Sequence, residues 1–501
     1  MSENLYAFLR QGFADRLQQV CLELPDGSAL RYRELDELSA RYAAVLDGLG
    51  LAPGDRIVTQ VDKFADTVAL YLGCLRLGIV YVPLNTAYTE AELEYFLADA
   101  EPRLLIVRPE QRESLATMAA GRGIAIDSLG DGQGIERQAR NAAPRPELAS
   151  LAADDVVVMV YTSGTTGRSK GAMLTYENLA SNVTALHDIW GWQRDDVLLH
   201  ALPVFHVHGL IVALHCALLG GSRILFQPRF EVRQLREALA EATVMMGVPT
   251  FYTRLLDEPD FGSEECSGMR LFICGSAPLL AETFEAFAAR SGHRILERYG
   301  MTEAGMITSN PLRAKRLAGT VGYPLPGVEL RVVDEQGACL PAGEIGAVEI
   351  RGPNVFKGYW RQPEKTAAEF CADGFFRTGD LGQLSADGRL SLVGRSKDLI
   401  ISGGYNIYPK EIETCLNELP GIRESAVIGV PHADLGEVPI AVIVPEDSRA
   451  ADERDILAAL ESRLARFKRP RHIVSVDALP RNALGKVQKQ QLRETYAGLL
   501  R

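Results

Sequence analysis

A short segment rich in glycine and hydroxyl side chains, Thr162–Lys170, has the residue types best suited to holding a phosphate. Five apolar residues and Tyr161 precede it, which predicts a buried strand leading into a loop. Glycines let the backbone approach a phosphate closely and turn its N–H groups inward, while Lys170 adds a positive charge. The spacing differs from a Walker A loop, because Lys170 neither directly follows a glycine nor precedes Ser or Thr. The segment therefore predicts phosphate binding, with a plain surface loop as the alternative.

The elements that must position this loop predict an α/β fold. Helical spacing over 32–49 and 66–77 alternates with the short apolar runs 56–61 and 79–83. The same rhythm returns at 223–226, 243–247 and 271–274, which favours largely parallel sheets flanked by helices. Thr175 is a candidate N-cap for a helix after the loop.

Composition changes twice further along the chain, and this predicts the domain organisation. From about residue 320, short strands such as 329–334 and 347–351 alternate with turns, which indicates a small β-rich subdomain. The last hundred residues have their own helices (409–419 and 452–466) and strands (425–430 and 440–444). We predict an N-terminal domain over 1–394, with its β-rich part at about 320–394, and a small mobile α+β domain over 395–501.

The bulk properties exclude several classes of function. A length of 501 residues predicts two or more domains. A net charge of −12 argues against a nucleic-acid surface, and no apolar run reaches the ~18 residues of a membrane span. With no apolar leader, and eight cysteines outside CxxC or zinc spacing, we expect a cytoplasmic protein with reduced thiols.

Several motifs in one order resemble those of the adenylate-forming superfamily, which includes acyl-CoA synthetases, luciferases and adenylation domains. The motifs are YTSGTTGRSKGA from Tyr161, LPVFHVHG from Leu202, GSAP from Gly275, YGMTE from Tyr299, TGD from Thr378, RSKDLIISGGYNIYPKE from Arg395 and PRNALGK from Pro480. The stretches GVPTFYTRLL, ERYGMTE, GPNVFKGYW and PRNALGKVQK resemble the malonyl-CoA synthetases within it.

The resemblance implies ATP and coenzyme A as co-substrates, Mg²⁺ as cofactor, and a set of nucleotide contacts. The implied ATP-binding residues are Thr162, Ser163, Gly164, Thr165, Thr166, Gly167, Lys170, Gly275, Ser276, Ala277, Tyr299, Gly300, Thr302, Asp380 and Arg395. Tyr299 would stack on adenine, Asp380 would accept from the ribose hydroxyls, and Glu303 with Thr166 would hold the metal. The alternatives are a core aromatic for Tyr299 and a turn residue for Asp380.

The reaction that the resemblance implies needs no general base, because a carboxylate attacking the α-phosphorus is already charged. The protein must neutralise anions and stabilise the leaving pyrophosphate. The implied catalytic residues are Lys486, Glu303, Thr302 and His206. Lys486 lies in a loop marked by Pro480 and Gly485, which we expect to be exposed, and a plain surface lysine is the alternative. Lys397 occupies the hinge position, and Gly403 with Gly404 would line a coenzyme A tunnel.

The acyl pocket is implied to include Arg298, His206, His208, Met306 and Val207. A guanidinium beside the adenylate is costly unless paired, and a second substrate carboxylate can bind it in bidentate fashion. The sequence thus favours malonate, with a structural ion pair to Glu297 or another acid as the alternative for Arg298. Methylmalonate, a short fatty acid or another small acid stays open, as does a carrier protein in place of coenzyme A.

Three other classes of function fit less well. Amino-acid adenylation domains usually carry an Asp where His206 stands. A nucleotide-binding regulator without turnover would be expected to lack Lys486, Glu303 or Lys170. Nothing in the sequence supports luciferase-type oxidation.

Overall fold

The computed structural model describes residues 4–162, 169–402, 405–432, 435–446, 452–461, 463–482 and 485–499. The chain forms two compact units. The first comprises Met1–Ala318, Gly322–Glu329 and Arg351–Phe376, and the second Gly319–Val321, Leu330–Ile350 and Arg377–Arg501. The limits predicted from composition, 1–394 and 395–501, stay a prediction about independently moving domains.

The first unit contains a seven-stranded, mostly parallel sheet that leads into the phosphate loop. In spatial order its strands are Gly358–Tyr359, Lys170–Thr175, Val156–Thr162, Val80–Pro83, Arg56–Gln60, Leu104–Val107 and Ala125–Ser128. Val80–Pro83 and Leu104–Val107 are buried along their whole length, and Val156–Thr162 is buried except at its two ends, which explains why their sequences are largely apolar runs. One face packs on the helices Glu90–Ala100 and Arg112–Ala120.

A nine-stranded sheet in the same unit positions most of the other predicted site residues. In spatial order its strands are Tyr323–Pro324, Gly305–Ser309, Leu296–Met301, Leu271–Cys274, Val244–Gly247, Val197–His200, Arg223–Phe226, Val20–Glu23 and Ala29–Arg31. The middle strands are parallel, so their carboxyl ends lie at one edge, where ligands bind in open α/β sheets. Strands Leu296–Met301 and Gly305–Ser309 form an antiparallel pair.

Helices flank the two sheets of the first unit. Their bounds are Leu5–Arg10, Tyr32–Gly48, Ala65–Leu77, Glu90–Ala100, Arg112–Ala120, Gly134–Asn141, Tyr176–Ile189, Leu214–Gly220, Val232–Leu239, Pro249–Leu256, Ala281–Ser291 and Pro363–Glu369, with a 3₁₀ turn at Pro109–Gln111 and a π-helix at His208–Ala213. The predicted N-cap is confirmed, because the Thr175 side chain accepts from the Asn178 N–H.

The second unit contains two smaller sheets. A four-stranded sheet has the order Glu329–Val333, Gly346–Arg351, Phe376–Leu384 and Leu390–Arg395. A five-stranded sheet consists of Ile400–Ser402, Tyr405–Ile407, Ile422–His432, Gly436–Pro445 and Ile473–Ser475. Alternate residues of Ile422–His432 enter two different cores, one on each face, so this strand is apolar throughout its middle. The helices are Pro409–Asn417, Glu453–Glu461 and Lys489–Tyr496, with 3₁₀ turns at Ser396–Asp398 and Arg466–Lys468.

The predicted α/β class is confirmed, and the differences are local. The strand Lys170–Thr175, with the sequence KGAMLT, lies between the predicted loop and the helix capped by Thr175 and was not predicted. The helix predicted over 452–466 ends at Glu461, before a separate 3₁₀ turn. Within the described residues, no helix is long and apolar enough to cross a membrane.

Candidate functional site

The predicted phosphate loop is bounded by two antiparallel strands. Val156–Thr162 pairs with Lys170–Thr175, and Thr162 lies opposite Lys170 in that register. The pairing therefore holds the two ends of the loop side by side. The remaining loop residues predicted to bind phosphate, namely Ser163, Gly164, Thr165, Thr166 and Gly167, lie outside the described residues.

Lys170 is held by an acidic and an aromatic side chain that the sequence analysis did not identify. Its Nζ donates to Glu369 Oε1 at 3.1 Å and lies 4.1 Å from the centroid of the Tyr359 ring. Glu369 is 199 residues away in sequence, so no local pattern could have paired the two. An ammonium on an aromatic face beside one carboxylate is well placed to exchange that carboxylate for a phosphate.

The Tyr359 hydroxyl connects this cluster to Glu303. It donates to Glu303 Oε1 at 3.0 Å and also lies 3.5 Å from Glu369 Oε2. Burial, with the Glu303 charge next in size, raises the pKa of Tyr359. Glu303 is buried in the turn between two strands of the nine-stranded sheet, where its carbonyl accepts the Phe356 N–H at 2.8 Å. Thr302 precedes it and is half-buried.

The residues around Glu303 fit magnesium bound through a nucleotide. Two carboxylates, Glu303 and Glu369, converge on one phenol oxygen. No group of three or more His, Cys, Asp or Glu ligands occurs in the described part of the chain. Magnesium at nucleotide sites usually takes only one or two carboxylates and completes its shell with phosphate and water. Glu303 would therefore hold the ion together with phosphate oxygens. Thr166, the other predicted ligand, lies outside the described residues.

Arg298 is buried in the strand Leu296–Met301, and its charge has no carboxylate partner among the described residues. The residue is 4% exposed, and neither Nε nor Nη2 makes a hydrogen bond to any part of the chain that the structure describes. Burial lowers the pKa of Arg298 to about 10. The ion pair with Glu297 that was the alternative does not form. A Cβ at Gly275 would lie 2.4 Å from the guanidinium carbon, so the glycine makes room for it.

Two histidines and a serine lie around Arg298. The His208 N–H donates to His206 Nδ1 at 3.1 Å, and His208 Nδ1 lies 3.2 Å from Ser276 Oγ. Burial, followed by the Arg298 charge, lowers the pKa of His206 to about 4 and that of His208 well below its usual value. Both imidazoles are therefore neutral at neutral pH, and Arg298 is the cation of this group.

Backbone geometry keeps these residues close together. Ser276 has a φ of 70°, in the left-handed region that non-glycine residues seldom adopt outside functional sites. A Cβ at Gly300 would lie 2.3 Å from the Gly305 carbonyl oxygen and 2.4 Å from the Met306 methyl group. The strands Leu296–Met301 and Gly305–Ser309 are thus so close at Gly300 that no side chain fits between them.

The remaining predicted residues of the first unit are buried or half-buried. Met306 is buried, and its backbone N–H and carbonyl both bond to the Asn182 side chain. Val207 and Tyr299 are also buried, and Ala277 is half-buried. Their assignment to adenine and acyl contacts stays a prediction.

The second unit brings together the predicted ribose ligand and the predicted catalytic lysine. Asp380 lies opposite Arg395 on paired strands, and Arg395 Nε is 2.7 Å from Asp380 Oδ1. Asp380 is buried, and its N–H donates to Thr378 Oγ1 at 3.1 Å. Arg395 Nη1 donates to the Thr378 carbonyl at 3.2 Å. This arrangement leaves a fixed carboxylate beside a guanidinium.

Lys486 is an exposed residue, and the charges of Arg395 and Asp380 affect the pKa of its ammonium group. Desolvation, then the Arg395 charge, lowers the pKa of Lys486, while Asp380 and Asp398 oppose the shift. Its backbone N–H donates to Asn482 Oδ1 at 3.0 Å. Desolvation and the Lys486 charge also lower the pKa of Lys397 to about 8, against the effect of Asp398. The predicted tunnel residues Gly403 and Gly404 lie outside the described residues.

Comparison with known proteins finds families, sequences and structures to which the chain is similar. The chain matches the family model "AMP-binding enzyme" over residues 10–360 and the model "AMP-binding enzyme C-terminal domain" over residues 411–486. A feruloyl-CoA synthase from Amycolatopsis sp is 37% identical over 474 residues, which cover 94% of each chain. The mitochondrial malonate–CoA ligase ACSF3 of Mus musculus is 38% identical over 451 residues, covering 83% of this chain and 77% of the mouse protein. The crystal structure of ATP-bound MatB from Rhodopseudomonas palustris shares 49% identity, covers 100% of both chains and gives a TM-score of 0.98.

The first of these models alone spans well over half of the chain, and the relatives extend the match to both compact units. The expected resemblance is thereby confirmed. The chain belongs to the AMP-binding enzyme family and is an AMP-forming acid–thiol ligase.

Proposed function

We propose that this ligase joins malonate, or a close small dicarboxylate, to coenzyme A through an acyl-adenylate made from ATP. The observation that supports this substrate is Arg298, a buried guanidinium with two nitrogens that make no hydrogen bond within the described residues. Breaking or omitting the partner of a buried charge is expensive, on the order of 3–5 kcal/mol. A ligand that supplies the missing carboxylate would recover that cost on binding.

A dicarboxylate can supply the missing partner of Arg298 because its two carboxylates have different roles. One carboxylate must react at the α-phosphorus, so only the second can stay beside Arg298. Because His206 and His208 are neutral, Arg298 is the one positive charge to be matched among these three described side chains. A monocarboxylate would leave the charge of Arg298 unpaired. A site built to bind a polar group rejects an analogue without that group for the same reason. The malonate–CoA ligases among the relatives agree with this choice.

The first half-reaction forms a bond between a substrate carboxylate oxygen and the α-phosphorus and breaks the α–β phosphate bond. We propose that Lys170 and the segment around it hold the β- and γ-phosphates. Thr302 would contact the α-phosphate, and Glu303 would hold magnesium, which supplies positive charge for the leaving pyrophosphate. Lys486 would balance the charge that develops between the two reacting anions.

The nucleoside contacts follow from the same proposal. Tyr299, Gly275, Ser276, Ala277 and Gly300 would enclose adenine, and Asp380 with Arg395 would hold the ribose hydroxyls. Arg395 already pairs with Asp380, which orients that carboxylate before a ribose binds.

In the second half-reaction the sulfur of coenzyme A attacks the acyl carbon and AMP leaves. His206 would border the path of the thiol, with Gly403 and Gly404 along the pantetheine tunnel. Movement of the C-terminal domain about Lys397 would withdraw Lys486 between the two steps, so that pyrophosphate leaves before the thiol arrives.

A panel of acids tests the proposed substrate. Pyrophosphate release should be fastest with malonate, slower with methylmalonate and succinate, and slowest with propionate, octanoate and ferulate. Parallel reactions with coenzyme A and with a phosphopantetheinyl carrier protein should yield a thioester only with the former. A preference for propionate or ferulate would end the dicarboxylate proposal while leaving the ligase class intact.

We also propose a cytoplasmic location, as the sequence analysis expected. Fluorescence microscopy of the tagged chain would test it.

A further inference from the structure

Lys63 is a buried cation that the proposed reaction does not use. It follows the strand Arg56–Gln60 of the seven-stranded sheet, is 6% exposed, and its Nζ faces three acceptors. These are His200 Nδ1 at 2.8 Å, the His200 carbonyl at 2.7 Å and the Gln227 carbonyl at 2.7 Å. The Phe226 ring lies 4.3 Å from Nζ. No carboxylate in the described part of the chain pairs with it, so its charge is held by neutral groups alone.

The hydrogen-bond partners of His200 require the pair to hold one positive charge. His200 Nε2 faces the Gly209 carbonyl oxygen at 2.9 Å and must therefore carry a hydrogen. A protonated Lys63 then supplies three N–H donors for its three acceptors. If one proton moves from Lys63 to His200 Nδ1, all three hydrogen bonds remain, because Nδ1 then donates to the amine and the amine donates to the two carbonyls. If the pair lost that proton, the lone pairs of Lys63 Nζ and His200 Nδ1 would face each other without a hydrogen between them. This cost opposes the effect of burial, which lowers the pKa of both groups.

The pair of Lys63 and His200 is hydrogen-bonded to the backbone of the motif LPVFHVHG, through the carbonyl of Gly209. Gly209 lies in the π-helix His208–Ala213, and its carbonyl also accepts the Leu214 N–H. A Cβ at Gly209 would lie 2.1 Å from the Pro203 carbonyl oxygen, so the segment cannot shift without moving its neighbours. Single π-helical turns are often found at functional sites. Through Gly209, the bond from His200 fixes the backbone that carries His206 and His208.

We propose that Lys63 and His200 are positioning residues of the acyl pocket, acting on the 206–209 segment through the Gly209 carbonyl. This inference rests on the proposed function, since it takes that segment to border the substrate acid. Lys63 does not touch the reacting atoms. It fixes the tautomer of His200, which in turn fixes the segment beside Arg298. The affinity for the acid should depend on the pair, and the affinity for ATP should not.

The test measures KM for the acid and for ATP, kcat and the melting temperature in four variants. Lys63→Met keeps the length of the side chain and removes its donors. His200→Gln keeps an N–H near the position of Nε2, while His200→Asn keeps an acceptor near the position of Nδ1. Tyr71→Phe is the matched control, because it removes a buried hydroxyl 2.8 Å from His215 Nε2 in the same unit without touching the 206–209 segment.

We expect Lys63→Met and His200→Asn to raise the KM for the acid about tenfold or more, because small misplacements at a reacting centre have effects of this size. Their KM for ATP should change by less than about twofold, and His200→Gln should stay near wild type in both. Equal changes in both KM values, or the same profile in Tyr71→Phe, would overturn the inference. If Lys63→Met does not fold, the contrast between the two His200 variants decides alone. If the wild type prefers another acid, the proposed substrate fails, and the variants are measured with the acid it prefers.

Discussion

Three cations that the proposed function uses differ in how the protein holds them. Lys170 is paired with Glu369 and Arg395 with Asp380, so both are oriented by a carboxylate of the protein. Arg298 differs, because it has no carboxylate partner among the described residues. A paired cation such as Lys170 can exchange its carboxylate for a phosphate, and Arg395 can orient the carboxylate it binds. Arg298 instead favours a ligand that brings a carboxylate of its own.

Replacing Arg298 with Met should abolish the preference for a dicarboxylate. Charge-assisted hydrogen bonds contribute about 1.5–3 kcal/mol, so kcat/KM for malonate should fall roughly 10- to 150-fold. The value for propionate should fall much less, because propionate has no second carboxylate to pair with Arg298. Steady-state kinetics with both acids measure the difference. Equal losses on the two acids would mean that Arg298 is structural.

Replacing Lys486 with Ala should affect one half-reaction only. Acid-dependent pyrophosphate exchange should fall below detection, since the cation between the reacting anions is gone, while thioester formation from supplied malonyl-adenylate should persist. Lys489→Ala is the matched control, because that neighbouring lysine is already paired with Glu413 at 2.6 Å. A variant that loses both half-reactions equally would contradict the alternation of the two domains.

At the scale of elements, the site depends on how closely strands approach one another. Leu271–Cys274 and Leu296–Met301 are parallel neighbours, and Gly275 follows the first at the edge of the sheet. The absence of a side chain there lets the Arg298 guanidinium lie against the backbone. Under the proposed function, the GSAP motif would thus shape the acyl side of the site as well as the adenine side.

Adding a methyl group at Gly275 should displace the guanidinium of Arg298. We expect Gly275→Ala to lower kcat/KM for malonate about tenfold or more and to narrow its advantage over propionate. Gly262→Ala is the control, since the nearest atom to a Cβ there is 3.9 Å away. A Gly275→Ala enzyme that keeps the full malonate preference would show that the guanidinium position is not critical.

At the scale of the whole molecule, a net charge of −12 makes the local cations essential, because the average field repels anionic substrates. The same molecule buries several histidines in neutral form. Burial lowers the pKa of His187 and His208, that of His206 to about 4 and that of His215 to about 3. The unfolded chain therefore binds more protons than the folded one below about pH 6.5.

The free energy of unfolding should consequently fall as the pH drops from about 6.5 toward 5, before most carboxylates titrate. Each such histidine can contribute a slope of up to about 1.4 kcal/mol per pH unit. Urea unfolding at a series of pH values measures the slope. A His215→Gln variant should have a shallower slope than the wild type. Constant stability between pH 7 and 5 would show that these imidazoles are not held neutral.

The sequence by itself determined the fold class, the strand that enters the phosphate loop, the cap at Thr175 and the candidate role of Arg298. Those features follow from local patterns, namely apolar periodicity, capping residues and motif order. Only the tertiary structure decided that Glu369 pairs with Lys170 and that Lys63 reaches His200, pairs separated by 199 and 137 residues. It also decided that Arg298 lacks an acidic partner among the described residues. Such pairings depend on strand order and on which side chains share a buried edge, and a local pattern carries neither.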